Sequence, residues 1–218
     1  MDLMISKVMK NLIRNNIGCI FVESIAGVVP LMQVLIEKGS TVQSGGSLSL
    51  VESGVTQLMK SGMYNFLEHK HSSSIVEERV NGPLRDCCCD IYLCSCNALT
   101  EDGELYFVDG GGNRVASVLY GGKRVILIVG SNKIVRDLEG AILRVKTIVA
   151  PKVAARNGFR TYCTYNGRCI SIDFGKTGMA DGCRSADRIC SDYVVISRQN
   201  DRNKNRITVI LVGASLGY

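Results

Sequence analysis

The stretch Asp90–Lys133, DIYLCSCNALTEDGELYFVDGGGNRVASVLYGGKRVILIVGSNK, constrains the fold more than any other part of the chain. Ile91, Leu93 and Ser95 alternate with Tyr92, Cys94 and Cys96, the period of a short strand. Asn97–Gly103 is a polar knot in which Asp102 and Gly103 signal a turn, because glycine accepts positive φ without steric cost. Glu104–Val108 is a second extended run, so the spacing predicts a hairpin between the two runs. Asp109–Arg114 is a glycine turn feeding a helix marked by Val115, Val118 and Leu119, which Gly121 and Gly122 close. Arg124–Val129 is then a fully apolar strand ending at Gly130–Lys133.

The polar residues of this stretch fall at strand ends and in glycine turns: Asn97, Glu101, Asp102, Asp109, Asn113, Arg114, Asn132 and Lys133. The carboxyl ends of strands in an open α/β sheet are where ligands bind. Glycines there let a ligand approach the backbone, and a helix N-terminus offers unpaired N–H groups to an anion. A single such turn reads better as a tight turn with solvated charges. Three polar turns at one end of one sheet read better as a pocket.

Before this stretch, Met4, Ile5, Val8, Met9, Leu12 and Ile13 recur at helical spacing up to Asn15 and Asn16. Gly18–Val22 is a short strand. Ile25–Ile36 has helical spacing, but Pro30 predicts that the helix starts or kinks there, and Gly39 ends it. Thr41–Gln43 is a brief strand leading through Gly45 and Gly46 into a helix marked by Leu48, Val51, Val55 and Leu58, with Ser47 as N-cap. A glycine pair between strand and capped helix is a generic anion cradle. Tyr64–Leu67 reads as a strand, His69 and His71 as exposed loop residues, and Ser74–Arg85 as a helix broken by Gly82 and Pro83. Cys87, Cys88 and Cys89 are adjacent, so an extended backbone points them to opposite faces and they read as small buried fillers.

After it, Val135–Val149 is a helix (Leu138, Ile142, Val145, Ile148) ending before Pro151. Arg156–Cys190 lacks sustained periodicity. Tyr193–Ser197 and Ile207–Val212 read as a closing hairpin around the polar turn Asn200–Asn205. The fold class is therefore α/β, with a mainly parallel sheet flanked by helices on both faces, a cysteine-containing C-terminal segment and a final hairpin. At 218 residues and 46% apolar content the expectation is a single domain. Its parts are a core over 1–155, the cysteine segment over 156–191 and C-terminal strands over 192–218.

Charge and composition exclude several roles. The net charge of +6 comes from scattered basic residues, the densest at Arg202–Arg206, and aromatics are 6% with no Trp. No basic–aromatic surface for nucleic acid follows. The amphipathic N-terminus does not resemble a signal peptide, and no run approaches the roughly 18 apolar residues that span a bilayer. A cytoplasmic protein is expected, in which ten cysteines suggest reduced thiols, metal ligands or redox chemistry before disulfides.

Asn97–Gly103, Asp109–Ala116, Gly130–Val135, Ser185–Cys190 and the terminal Val209–Val212 with Leu216–Tyr218 together resemble the LUD domain of lactate utilization proteins, the LutC/YkgG-like family. Gly45–Ser47 followed by Glu52 and Gly54 fits the same resemblance. It implies the fold shared by ribose-5-phosphate isomerase, glucosamine-6-phosphate deaminase and the CoA transferases. A pocket for a small, oxygen-rich, anionic molecule is implied with it. It also implies a role in lactate or hydroxy-acid metabolism alongside iron–sulfur oxidoreductase partner proteins. The resemblance implies C-x5-C-x2-C-x6-C, the spacing expected in many small members of the family. Here Cys163 and Cys169 keep the first spacing and Cys183 and Cys190 the last, but thirteen residues instead of two separate the middle pair. A looped-out insertion of that length costs little entropy. Phe174–Gly178 resembles a second copy of the family's KTG turn. It is not a nucleotide loop, because Ile170 stands where that loop needs glycine.

The candidate ligand-binding residues are Gly45, Gly46, Ser47, Asn97, Asp109, Asn113, Arg114 and Lys133. Arg114 or Lys133 would hold a carboxylate or phosphate, and Glu101 or Asp102 would serve as acid or base. A second reading is a metal or redox module in which Cys163, Cys169, Cys183 and Cys190 hold zinc or an iron–sulfur cluster. A third is a sugar-phosphate isomerase or acyl-transfer enzyme, for which Glu101 is the best carboxylate. The expected partners are the small anionic metabolite, the iron–sulfur proteins and a second copy of the chain.

Overall fold

The computed structural model of the protein describes residues 2–67 and 89–218. The expectations for His69, His71, the helix over Ser74–Arg85, Cys87 and Cys88 lie outside the described residues.

Helix α1 (Leu3–Arg14) is capped by the Asp2 carboxylate, which accepts from Met4 N at 3.0 Å, and it buries Ile5, Val8 and Leu12. Strand β1 (Gly18–Val22) follows, and α2 (Val28–Leu35) places Pro30 in its first turn. The missing N–H is not needed there, so the helix neither starts at Pro30 nor breaks on it. After β2 (Thr41–Ser44) the expected single helix is two, α3 (Leu48–Glu52) and α4 (Val55–Met59), because Gly54 between them takes φ +77°. Ser47 occupies the N-cap position of α3, but its side chain makes no capping bond. Next come β3 (Asn65–Leu67), β4 (Ile91–Cys94), β5 (Ala98–Thr100), β6 (Leu105–Asp109), α5 (Asn113–Tyr120), β7 (Arg124–Gly130) and β8 (Ile134–Val135). α6 (Leu138–Arg144) is followed by a π turn (Val145–Val149) and α7 (Ala150–Arg156). Short helices α8 (Tyr162–Asn166) and α9 (Ile170–Asp173) precede β9 (Asp192–Ile196) and β10 (Ile207–Val212).

Six strands form a wholly parallel sheet in the order β1-β10-β7-β4-β2-β3. The unbroken apolar run of β7 is explained by its two covered faces. Val125, Leu127 and Val129 enter a core with α1 and α5, whereas Ile126 and Ile128 enter one with α2, α3 and α4. As expected, β4 and β7 are adjacent central strands, with α5 between them in sequence. A second sheet, β8-β5-β6-β9, puts Leu99, Leu105 and Phe107 into the first core and Ala98, Tyr106 and Val108 against α6 and the π turn.

Both expected hairpins are corrected. The strand that turns back on β6 is β5, from within the polar knot, and β4 belongs to the other sheet. Tyr193–Ser197 and Ile207–Val212 do not pair with each other. β9 runs antiparallel to β6, and β10 lies parallel between β1 and β7. The apolar side chains of β10 are buried on both sides, which suits a central strand, whereas most of β9 is only half-buried. The helix expected to stop before Pro151 continues to Arg156, because the π turn widens just ahead of the proline. Pro151 has no N–H for the carbonyl five residues back, that of Lys146, which accepts Cys169 N at 2.8 Å instead. The proline thus leaves an acceptor that ties down the cysteine segment.

Candidate functional site: a basic cleft and a thiol chamber

The turns that follow β2, β4, β7 and β10 converge beyond the carboxyl ends of the parallel sheet. Those after β2 and β4, with the β6–α5 turn, border a cleft of ≈ 800 Å³ lined by Gly46, Asn97, Asp109, Asn113, Arg114 and Arg156, among others. A smaller hollow of ≈ 70 Å³, sharing Gly46, Asn97, Arg114 and Arg156 with it, reaches Ser47, Ser49, Ser95, Lys133 and Tyr218.

Arg114 is the best-held group. Its Nε donates to Asp109 Oδ1 at 2.8 Å, Nη2 donates to the same oxygen, to Asn97 Oδ1 (2.8 Å) and to the Val108 carbonyl (3.0 Å), and Nη1 donates to the Ser95 carbonyl (3.0 Å). The other Asp109 oxygen accepts Val115 N at 3.0 Å, in the first turn of α5. Both carboxylate oxygens are therefore engaged, so Asp109 positions Arg114 rather than facing a ligand. Gly45 makes room for this arrangement, since a Cβ there would stand 2.7 Å from Tyr92 Oη and 3.5 Å from Arg114 Cγ.

Lys133 is 4% exposed. Its Nζ donates to Ser49 Oγ (2.8 Å), Ser95 Oγ (2.9 Å) and the Cys96 carbonyl (3.4 Å). No carboxylate pairs with it among the described residues. Burial pulls its pKa from 10.5 down to about 8, with Arg144 and Arg114 adding to the fall. Arg144, also buried, donates to the Asn97 carbonyl at 2.8 Å and to the Asn132 carbonyl at 3.2 and 3.3 Å, clamping the β4 and β7 turns together. The chain's last residues cover the hollow. Asn132 Oδ1 accepts Leu216 N (3.0 Å), Glu52 Oε2 accepts Gly217 N (2.6 Å), and the Tyr218 ring lies 5.4 Å from the Arg156 guanidinium.

Of the sequence-derived residues, Gly46, Ser47, Asn97, Asp109, Asn113, Arg114 and Lys133 line the two hollows, and Gly45 lies just behind them. Glu101 and Asp102 do not. They sit at the tip of the β5–β6 hairpin, against α1, where Glu101 pairs with Lys7 Nζ at 2.7 Å and the Asp102 carbonyl accepts Asn15 Nδ2 at 2.9 Å. The hairpin turn carries them away from the strand ends, so neither can act as acid or base in this cleft. Sequence reasoning missed Ser49, Ser95, Arg144, Arg156 and Tyr218. A serine in a helix and an arginine on one carry no local signal of a pocket.

A third hollow lies behind the π turn. Cys163, Cys169, Cys183 and Cys190 all line one cavity of ≈ 30 Å³, together with Lys146 and Arg188. All four are free thiols. Burial, with the neighbouring thiols adding to it, raises the pKa of Cys163 and lifts that of Cys190 to about 12. The thirteen residues between Cys169 and Cys183 are not looped out: Ile170, Met179 and Asp181 are part of the wall. Among the described residues, no group of three or more His, Cys, Asp or Glu side chains is arranged, as placed, to hold a metal ion. No helix among them is long and apolar enough to cross a membrane.

Residues 5–212 match the family model described as the LUD domain. The fold is similar to a DUF162 family protein from Deinococcus radiodurans, with TM-score 0.52, 13% identity and 96% of each chain covered. None of the curated proteins matches.

Proposed function

The chain belongs to the LUD domain family, and from that premise we propose that its basic cleft binds a small hydroxy-carboxylate or similarly oxygen-rich anion. Family membership supports a role of the lactate-utilization type. The observation that carries the ligand reading is Lys133, a buried ammonium in the hollow beside the cleft with which no carboxylate forms an ion pair among the described residues. A buried charge is costly without a counter-charge, and an anion bound beside it would supply one. The Asn97 and Asn113 side chains line the cleft and offer hydrogen bonds for ligand hydroxyls, while Arg156 adds charge at the rim. Handing electrons to or from such a ligand would fall to iron–sulfur partner proteins.

A narrower reading has one observation in its favour. A lysine with a pKa near 8 can take and return a proton near neutral pH, so if isomerase-like proton transfer occurs here, Lys133 performs it and Glu101 does not.

The test is thermal unfolding with lactate, pyruvate, glycolate and pentose phosphates. A ligand at about 100 times its Kd adds about 2.7 kcal/mol, a rise of roughly 2–4 °C per kcal/mol. Lys133→Met and Asn113→Ala should abolish the rise. A ligand that stabilises both variants as well as the parent would place binding elsewhere.

A further inference from the structure

The hydrogen bonds around Lys133 decide what its nitrogen can do. The Ser49 hydroxyl gives its own hydrogen to the Leu216 carbonyl at 3.2 Å, and the Ser95 hydroxyl gives its hydrogen to the Cys96 carbonyl at 3.3 Å. Both serine oxygens therefore accept from Nζ, at 2.8 and 2.9 Å. The third contact of Nζ, to the Cys96 carbonyl, is 3.4 Å long, beyond the range of an ordinary N–H···O bond. A neutral amine has two N–H groups and one lone pair. The two serines take the N–H groups, which leaves the lone pair for the hollow that Lys133 lines. Burial favours the neutral form, as do Arg144 and Arg114, while Cys96 and Glu52 oppose it. Glu52 is already engaged by Gly217 N.

We propose that Lys133 condenses with the carbonyl of a small 2-oxo carboxylate to form a protonated imine, so that the oxo acid and not the hydroxy acid is the covalent ligand of this hollow. The proposal rests on the anion reading of the cleft and narrows it to one substrate class. Lysines activated by desolvation and by neighbouring cations are the ones that add to carbonyls. The Nζ lone pair attacks the carbonyl carbon, the C–O π bond breaks, and the oxygen takes a proton from the nitrogen to give a carbinolamine. That hydroxyl leaves with one further proton as water, and the C=N bond forms with one hydrogen kept on nitrogen. Amine, oxo acid and proton thus give iminium and water, with no oxidant or reductant. The iminium retains a positive charge, and the ligand's own carboxylate supplies the counter-charge. Arg156 lines the same hollow and forms no ion pair among the described residues, so it offers that carboxylate a second cation. Size favours a short acid. The hollow of ≈ 70 Å³ has room for about five water-sized groups at about 10–15 Å³ each. That suits a three-carbon oxo acid, whereas a pentose phosphate is too large to lie wholly within it.

The experiment incubates the full chain with pyruvate and sodium cyanoborohydride, which reduces an iminium to a stable secondary amine. Intact mass and peptide mapping then read the product. One carboxyethyl group per chain should appear, on Lys133. Near neutral pH the neutral fraction of a lysine is on the order of 100-fold larger at a pKa of about 8 than at 10.5. Label on Lys133 should therefore exceed that on any other lysine by about tenfold or more. Lactate, which has no carbonyl, should leave none. Lys133→Arg keeps the cation and should lose the label. Pyruvate that raises the melting temperature of the parent chain yet leaves Lys133 unlabelled overturns the imine and leaves the anion reading standing. A chain that neither pyruvate nor lactate stabilises, and that carries no label at Lys133, overturns both. Label spread evenly over the lysines, or unchanged in amount by Lys133→Arg, also overturns the imine.

Discussion

The basic cleft and the thiol chamber lie on either side of one wall, formed by Val145, Ala150 and the Arg188–Cys190 turn. In the cleft and its adjoining hollow, Arg114 is matched within the chain by Asp109, whereas Lys133 has no carboxylate ion-pair partner among the described residues. In the chamber neither Lys146 nor Arg188 forms an ion pair among the described residues, and both donate to hydroxyls and carbonyls instead. The difference separates two uses of buried charge. A cation paired at home builds structure, and a cation left unpaired sets what can be bound.

The largest test breaks the pair that does exist. Arg114→Met leaves Asp109, 7% exposed, as an uncompensated carboxylate, and it should lower stability by about 3–5 kcal/mol in urea unfolding. A loss below about 1 kcal/mol, the size of an exposed pair, would mean that the cleft does not neutralise its own charge. The pH dependence sharpens the contrast from the other side. Lys133 has a folded pKa of about 8 against 10.5 when unfolded, so between those values the unfolded chain binds more protons and stability rises with pH. At about 1.4 kcal/mol per pKa unit the rise is on the order of 3 kcal/mol. The buried Cys94 thiol and Tyr92 phenol are raised and act in the opposite sense. The difference between parent and Lys133→Met therefore isolates the lysine, and curves that run parallel from pH 8 to 10.5 would refute it.

Smaller effects locate the boundary of the cleft. Gly45→Ala forces the Tyr92 hydroxyl, 2.7 Å from the added Cβ, to shift and should cost about 1–3 kcal/mol. At Gly46 an added Cβ meets nothing within 4 Å, so Gly46→Ala should stay within about 0.5 kcal/mol while weakening ligand-induced stabilisation. Equal costs at the two glycines would mean that Gly45 does not protect the place of the Tyr92 hydroxyl. The smallest effect belongs to Glu101→Gln. It removes an exposed ion pair with Lys7 and should move neither the urea midpoint nor the ligand-induced rise in melting temperature. A lost ligand response would return Glu101 to the site.

Much of the architecture was legible in the residues. The β-branched run Arg124–Val129, the alternation before Asn97 and the helical stripes of Leu3–Arg14 and Asn113–Tyr120 are local patterns, and local patterns encode elements. The turns at Gly45–Ser47, Asn97, Asp109–Arg114 and Lys133 were legible as a pocket, because parallel strands deliver their carboxyl ends to one edge. Partnerships between distant strands were less so. Ile207–Val212 is an equally good hairpin arm or central strand by composition, and only the vacancy between β1 and β7, covered on both faces, selects the second. Thr100 turns its chain back toward Glu104 instead of toward the cleft, which took Glu101 and Asp102 from the site.

The sequence by itself determined the elements, the parallel sheet and the glycine turns at its carboxyl edge, because each depends on residues a few positions apart. Tertiary structure alone decided which charges are buried with a partner and which without. Lys133 and Lys146 are ordinary lysines in the sequence. They became the defining groups of two hollows only when Ser49, Ser95, Ser171 and the four cysteines were brought around them from distant parts of the chain, since desolvation depends on everything packed against a group and not on its neighbours in sequence.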